Sequence, residues 1–215
     1  PAPVTEPEKT FEEVLDEHPV SIQVNGQWQT FPNARAAEEA AYGEYKDNLR
    51  RTAENFRITD DHLGEGGPKA KFQANIAAIK LLKYLEETTE QATPEQQKIL
   101  SRYVGWGGLA DAFDPEKPAW AVEYTQLKEL LTPEEYTAAR GSTLNAHYTS
   151  PTVIRAIYET VGRMGFETGN ILEPSCGVGN FFGMLPEEMR NSRLYGVELD
   201  SISGRIAKQL YPKAD

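Results

Sequence analysis

The spacing of apolar and polar residues divides the chain into a short β-hairpin, a series of helices and an alternating β/α segment. Apolar residues alternate over 20–24 and 27–31, on either side of Asn25-Gly26, a dipeptide typical of a two-residue hairpin turn. Further along the chain they recur instead at helical spacing, up to about residue 140. The pattern therefore predicts the α/β fold class, with most helices placed before the β/α segment.

Threonine followed by proline marks two of the predicted helix starts, since such a pair places a capping side chain before a first-turn proline. Thr93-Pro94 begins a helix that we expect to stop at Gly105, and Thr132-Pro133 begins another. Periodicity predicts further helices over 69–87, 118–131, 152–164 and 201–211, and the alanine-rich, charged composition of 34–56 favours a long exposed helix there.

Pattern and composition together predict four parts of the chain. Residues 1–19 are rich in Pro and Glu with few apolar positions, and we expect them to form a disordered acidic linker. The β-hairpin over 20–31 follows, and then a helical domain over 32–141. Residues 142–215 contain the β/α segment and form the start of a further domain.

The β/α segment begins with a strand that leads into a glycine loop. The apolar run 170–172 ends at Glu173, because Pro174 lacks the N–H that a central strand would need next. Gly177 and Gly179 then allow the backbone to turn sharply and to bring its N–H groups close to a ligand. The loop is therefore a candidate ligand-binding element.

A helix and a second strand are predicted after the loop. Apolar residues over 181–185 would form the buried face of the helix, and the alternation over 194–199 predicts the strand. We expect the strand to end in Glu198-Leu199-Asp200, and nucleotide-binding folds hold ribose hydroxyls with an acidic side chain at such a strand tip.

The chemistry of the loop favours S-adenosylmethionine (SAM) over a dinucleotide. The dinucleotide fingerprint Gly-x-Gly-x-x-Gly is not met, because Phe182 stands where the third glycine belongs and Gly183 comes one place late. SAM carries no phosphate, but it offers a ribose, an adenine, an ammonium, a carboxylate and a sulfonium. Glu173 suits the cationic side of that ligand, and Glu198 suits its ribose.

Two motifs in this order resemble those of a known family. The sequence Glu-Pro-Ser-Cys-Gly-Val-Gly-Asn-Phe over 173–181 resembles the SAM-binding first motif of N-6 adenine-specific DNA methyltransferases, Asp/Glu-Pro-x-x-Gly-x-Gly-x-Phe. Residues 145–151 resemble the aromatic-Thr-Pro motif that precedes it. Segments 58–64 and 103–108 resemble the region before the methylase domain in very large methylase-helicase proteins of bacterial conjugative elements and phages. The resemblance extends from about residue 56 to the end.

The resemblance implies a fold, a cofactor and a set of site residues. Residues 142–215 would be the first half of a Rossmann-like SAM-dependent methyltransferase domain, truncated in this chain, with SAM as the cofactor. Tyr148, Thr149 and Pro151 would lie against the methionine end of SAM, with Thr149 on its carboxylate. The expected cofactor-binding residues are Tyr148, Thr149, Pro151, Glu173, Pro174, Ser175, Cys176, Gly177, Gly179, Asn180, Phe181, Glu198 and Asp200.

Catalysis in this family needs a further motif, Asp/Asn-Pro-Pro-aromatic, which holds the amine of adenine in line with the SAM methyl group. The motif is missing from the 215 residues. We therefore assign no catalytic residue, and we expect this chain alone to have no methylation activity and to bind SAM weakly or not at all. Two alternatives remain: a SAM-dependent methyltransferase of RNA or protein, and a non-catalytic helical interaction module with a degenerate methylase half-domain.

Two residues each allow a structural and a chemical interpretation. Cys176 could fill space in the glycine loop or act as a nucleophile, and its place facing the cofactor favours the first. Trp106, between Gly105 and Gly107, could close a packed turn or present an aromatic ring to a base or cofactor pocket. For Trp106, the sequence leaves both interpretations open.

Charge and residue usage limit the partners. The formal net charge of -11 at pH 7 does not suit a main DNA-binding surface, so we expect other parts of a longer protein to bind DNA. The resemblance implies that a fused helicase domain is among those parts. The single cysteine excludes a disulfide framework, and His147 has no partner at ligand spacing, so we expect no metal. Without an apolar run of membrane-spanning length, we expect no membrane contact and a soluble, cytoplasmic protein.

Overall fold

The computed structural model describes residues 18–60, 62–146 and 148–215 of the chain. Nearly all of the predicted linker over 1–19 lies outside the described residues, and so does His147. The described chain is a mixed α/β protein and mostly helical, which confirms the predicted class. No helix in these ranges is long and apolar enough to cross a membrane.

The chain divides between Ala53 and Glu54 into two compact units, and the first unit holds the predicted β-hairpin. Its strands pair antiparallel. Asn25 and Gly26 have φ angles of 51° and 75°, the left-handed conformation that a tight two-residue turn requires. The hairpin prediction is therefore confirmed. The described elements of this unit are β1 (Val20–Val24), β2 (Gln27–Phe31) and α1 (Ala34–Thr52).

Helices form the first part of the second unit, and their starts match the signals in the sequence. The Thr93 hydroxyl accepts a hydrogen bond from the amide of Gln96, and the Thr132 hydroxyl accepts one from the amide of Glu135, so both capping boxes are complete. The α-helices are α2 (Pro68–Thr88), α3 (Pro94–Leu100), α4 (Ala121–Leu130) and α5 (Pro133–Gly141). Short 3-10 helices occur at Ala110–Phe113, Pro118–Trp120 and Ser142–Leu144.

The helix that starts after Thr93 is shorter than predicted, because α3 ends at Leu100 and not at Gly105. The side chain of Asn75 on α2 takes up the backbone groups beyond it. Its Oδ1 accepts a hydrogen bond from the amide of Val104 at 2.9 Å, and its Nδ2 donates to the carbonyl of Gly105 at 2.6 Å. Gly105 also has a φ of 66°, which ends any helical continuation.

The turn after Gly105 carries Trp106 into the core. Trp106 is 1% exposed, and its ring packs edge-on against Phe72 at 6.0 Å, Phe113 at 5.3 Å and Tyr103 at 6.4 Å between centroids. Such aromatic contacts add to the free energy of burial. The packed-turn interpretation of Trp106 is therefore confirmed.

The remainder of the second unit contains a parallel pair of strands. Asn170 lies opposite Arg193 and Glu173 lies opposite Gly196, so the two strands run in register to a common end. The elements are α6 (Pro151–Arg163), β3 (Asn170–Glu173), α7 (Asn180–Gly183), β4 (Arg193–Gly196) and α8 (Ser201–Leu210), with a 3-10 helix at Glu187–Met189.

Two elements of this part end earlier than the sequence predicts. β4 stops at Gly196 and does not continue to the acidic tip, where the Glu198 carboxylate accepts a hydrogen bond from the Asp200 amide in a turn. The helix α7 has four residues and does not reach Leu185. Pro186 explains this, since the residue before a proline avoids the helical conformation.

Candidate functional site

The carboxyl ends of β3 and β4 open into a cleft of about 540 Å³. Glu173 at the end of β3 and Glu198 just beyond β4 both line it, together with Gly177 of the glycine loop. Ligands of parallel sheets bind in the crevice outside the carboxyl ends of the strands, so this position is the expected one. The cleft brings together the two carboxylates and the loop that the sequence singles out.

Ten of the thirteen predicted cofactor-binding residues line this cleft. They are Tyr148, Thr149, Glu173, Ser175, Cys176, Gly177, Asn180, Phe181, Glu198 and Asp200. The other three do not line it. Pro151 is the first residue of α6, Pro174 is exposed after β3, and Gly179 is buried before α7 with a φ of 86°. These three shape the backbone from which the lining residues project.

The glycine loop is fixed to the end of β4 by its own backbone. The amide of Gly177 donates to Glu198 Oε2 at 2.7 Å, and the amide of Cys176 donates to the carbonyl of Val197 at 3.0 Å. Glu198 Oε1 also accepts from the amide of Asp200 at 2.8 Å. A carboxylate has about four acceptor positions, so Glu198 keeps capacity for hydroxyl donors while it holds the loop.

Glu173 is half-buried at the tip of β3. Burial raises its pKa above the ordinary value, and a hydrogen bond from the backbone of Ser175 opposes this rise only in part. Ionisation of Glu173 is therefore less favourable in the ligand-free protein than in water. A cation in the cleft would stabilise the ionised form and lower this pKa again.

The ring of Tyr148 lies between two glycines. A Cβ atom at Gly177 would be 2.9 Å from Tyr148 Cε1, and one at Gly105 would be 2.9 Å from Tyr148 Cε2. The Tyr148 hydroxyl is 3.2 Å from Ser203 Oγ, which donates to Asp200 Oδ2 at 2.5 Å. Burial raises the pKa of Tyr148, so the phenol stays protonated at neutral pH.

One wall of the cleft comes from the helical part of the unit, which sequence reasoning did not include in the site. Tyr103 and Gly105 from the turn after α3 line the cleft, and so do Ser142 and Asn145 after α5. Ser203 on α8 also lines the cleft and was likewise missed. The glycine-rich stretch 103–108 was the available signal for Tyr103 and Gly105, and the motif at 145–151 was the available signal for Asn145.

The cleft has an acidic lining. Glu173, Glu198 and Asp200 line it, and none of its described lining residues is Lys or Arg. Such a surface attracts cations and accepts hydrogen bonds from hydroxyls, but it repels phosphate. In the described parts of the chain, no group of three His, Cys, Asp or Glu side chains is arranged to hold a metal ion.

Cys176 behaves as a loop-filling residue. Burial, with the charges of Glu198 and Glu173, raises the pKa of its thiol to about 11. The thiol is therefore protonated at neutral pH, whereas a nucleophilic cysteine needs a lowered pKa. The Sγ atom lies 3.6 Å from the carbonyl oxygen of Gly177, within its own loop.

The chain is similar to two curated viral proteins. It is 27% identical to "Defense against restriction protein B" of Escherichia phage P1 over 150 residues, which are 70% of this chain and 5% of the phage protein. It is 42% identical to "Type II methyltransferase M.CvrRI" of Paramecium bursaria Chlorella virus XZ-6E over 52 residues, 24% of this chain and 13% of that protein. No family model matches the chain, and no solved structure matches it.

The second similarity relates a stretch of 52 residues of this chain to a methyltransferase. The aligned residues span 5% and 13% of the two relatives, so the activity of a whole protein goes beyond what they establish.

Proposed function

We propose that this chain is the cofactor-binding region of a SAM-dependent DNA methyltransferase that acts on the exocyclic amine of adenine. The observation that carries the proposal is the cleft in which Glu173, Glu198 and Gly177 meet. Its volume of about 540 Å³ lies in the range of small-molecule sites. Its acidic lining suits a ligand with ammonium, sulfonium and hydroxyl groups.

Residues 142–215 then form the first half of a Rossmann-like methyltransferase domain. The order strand, glycine loop, helix, parallel strand, helix agrees with that fold. On the edge of β4 that faces away from β3, the amide of Asp215 donates to the carbonyl of Leu194 at 2.9 Å, and the carbonyl of Asp215 accepts from the amide of Gly196 at 2.8 Å. This bonding of one residue is that of a parallel bridge, which supports a wider sheet in the proposed fold.

Named residues would hold the parts of the cofactor. SAM supplies a methyl group activated by its sulfonium. Glu198 has acceptor capacity for the ribose hydroxyls, and the ionised Glu173 would offset the positive charge of the ligand. Thr149 is exposed in the cleft, where its hydroxyl would donate to the ligand's carboxylate. Tyr148 would form the side of the pocket at the methionine end.

The assignment to adenine in DNA rests on the motifs at 145–151 and 173–181, and the similarity to a viral methyltransferase supports methyl transfer as the reaction. With a net charge of -11, this chain offers little attraction to phosphates. We therefore expect DNA contacts, and the motif that holds the adenine amine, in other parts of a longer protein, with a fused helicase domain among them.

Calorimetric titration of the full-length protein tests the cofactor. We expect SAM to bind saturably and NAD, which carries a pyrophosphate, not to bind. Glu198→Gln should weaken SAM binding at least tenfold, or about 1.4 kcal/mol, because the charged acceptor is lost. Glu188→Gln, an exposed residue on a 3-10 helix outside the cleft, is the control and should change nothing. Binding of NAD in preference to SAM, or equal losses in both variants, would contradict the proposal.

Transfer of a labelled methyl group tests the substrate. The full-length protein should label DNA, and mass spectrometry of the hydrolysed DNA should show N6-methyladenine. Label that enters RNA or protein and leaves DNA unmodified would instead favour the alternative substrates.

A further inference from the structure

The position of Tyr148 depends on a part of the chain outside the methyltransferase motifs. Its ring touches Gly177 of the glycine loop on one edge and Gly105 of the helical part on the other. Carbon atoms in ordinary contact are about 3.5–4.0 Å apart, and a Cβ at either glycine would approach the ring to 2.9 Å. With the ring in this place, neither position accepts a side chain.

Gly105 is itself held by Asn75. Asn75 is fully buried on α2, among the apolar residues of that helix, where a polar side chain is retained only if its hydrogen bonds are made. Both ends of its amide are used, one on the Val104 amide and one on the Gly105 carbonyl. These two hydrogen bonds hold the backbone of the turn in the position where Gly105 contacts Tyr148.

We propose that Asn75 is a positioning residue of the cleft: it fixes the Gly105 turn, which holds Tyr148 against Gly177 and so sets the shape of the SAM site. This inference rests on the proposed function for the identity of the ligand, but not for the placement of the ring. The helical part is then a component of the cofactor site and not a separate module.

Two glycines of the same turn provide a matched pair of variants. Gly105 and Gly108 have φ angles of 66° and 74°, so Gly105→Ala and Gly108→Ala introduce similar backbone strain. A Cβ at Gly108 would meet nothing within 4 Å, whereas one at Gly105 would meet Tyr148. Only the first variant should therefore displace the ring.

Fluorine NMR of the chain with 3-fluorotyrosine incorporated at Tyr148 reports the ring without any ligand. Gly105→Ala should shift or split the resonance, and Gly108→Ala should leave it at the wild-type position. A resonance that does not respond to Gly105→Ala would overturn the proposal, whatever the chain binds.

Titration of SAM into the full-length protein carrying the same substitutions, to millimolar concentrations, tests the effect on the site. Gly105→Ala should weaken SAM binding at least tenfold, and Gly108→Ala by less than about twofold. Equal affinities of the two variants would overturn the positioning role while leaving the proposed function intact. If the full-length protein with wild-type sequence shows no SAM response, the proposed function fails, and the ligand-free spectra still decide whether Gly105 places Tyr148.

Asn75→Asp tests the buried amide itself. A buried carboxyl group has a raised pKa, and in its protonated form it can still donate to the Gly105 carbonyl and accept from the Val104 amide. When ionised it repels that carbonyl. We expect the Tyr148 resonance of Asn75→Asp to differ from wild type at high pH and to return towards it as the pH falls. A resonance that matches wild type at every pH would contradict the role of Asn75.

Discussion

Glu135 joins three helices through one carboxylate, and its neutralisation should destabilise the second unit. Its side chain is 8% exposed on α5. It accepts hydrogen bonds from Lys83 on α2 at 2.9 Å, from Arg205 on α8 at 2.8 Å and from the Thr132 amide at 3.0 Å. Arg205 also makes two hydrogen bonds to Glu86. The cluster therefore ties the helical part to the helix that follows the acidic tip of the cleft.

The pKa of Glu135 gives the magnitude. Burial alone would raise it, but the hydrogen bonds from Arg205, the Thr132 amide and Lys83 outweigh burial and lower it from 4.5 to about 2. At about 1.4 kcal/mol for each tenfold change in proton affinity, this corresponds to about 3 kcal/mol of folding free energy. Glu135→Gln keeps the size of the side chain and loses its charge, so the free energy of unfolding should fall by about 3 kcal/mol at neutral pH.

Urea denaturation followed by circular dichroism, at a series of pH values, measures this effect. The contribution of the ionised carboxylate is fully present above the unfolded-state pKa near 4.5 and is lost as the pH falls through about 2. The difference between wild type and Glu135→Gln should therefore narrow over that interval. Glu134→Gln, exposed in the same turn of α5, is the control and should cost less than about 0.5 kcal/mol. Equal losses in both variants, or a difference independent of pH, would refute the reasoning.

Two further predictions concern Glu173 at the end of β3 and Gly179 of the glycine loop. In the wild type, SAM affinity measured by calorimetry should fall as the pH drops through the raised pKa of Glu173, because only the ionised carboxylate attracts a cation. Glu173→Gln should flatten this pH profile. An unchanged profile in the variant would contradict the role of Glu173 in attracting the ligand. Gly179→Ala should destabilise the chain by about 2 kcal/mol or more in thermal melts, because its Cβ would overlap the ring of Tyr211. Gly108→Ala carries similar backbone strain without the overlap, and an equal effect there would show that strain alone acts.

Local signals predicted the elements whose causes lie within a few residues. The Thr93 hydroxyl caps an amide three residues away, and Asn25-Gly26 forms its own turn. The predicted end of α3 was wrong because the residue that determines it is distant in sequence. Asn75, which takes up the Val104 amide, stands 29 residues before it, and no periodicity shows that a buried polar side chain will do so.

In the candidate site, too, the residues with local causes were predicted and those that depend on distant packing were not. The carboxylates and the glycine loop form short motifs next to strand ends, so the parallel pairing of two strands was enough to bring them together. Tyr103 and Ser142 reach the cleft only because several helices pack in a particular way. The position of Tyr148 was expected, but its contact with Gly105 depends on the same packing and could not be inferred from spacing.

The enclosure of Tyr148 by two glycines limits how such a protein can diverge. A larger residue at position 105 leaves no room for a phenol ring, so relatives that lose Gly105 should also carry a smaller side chain at position 148. The helical part is therefore not free to be exchanged for an unrelated one by recombination. The sequence of the helical part and that of the methyltransferase motifs would have to change together, because their residues are in contact at Tyr148.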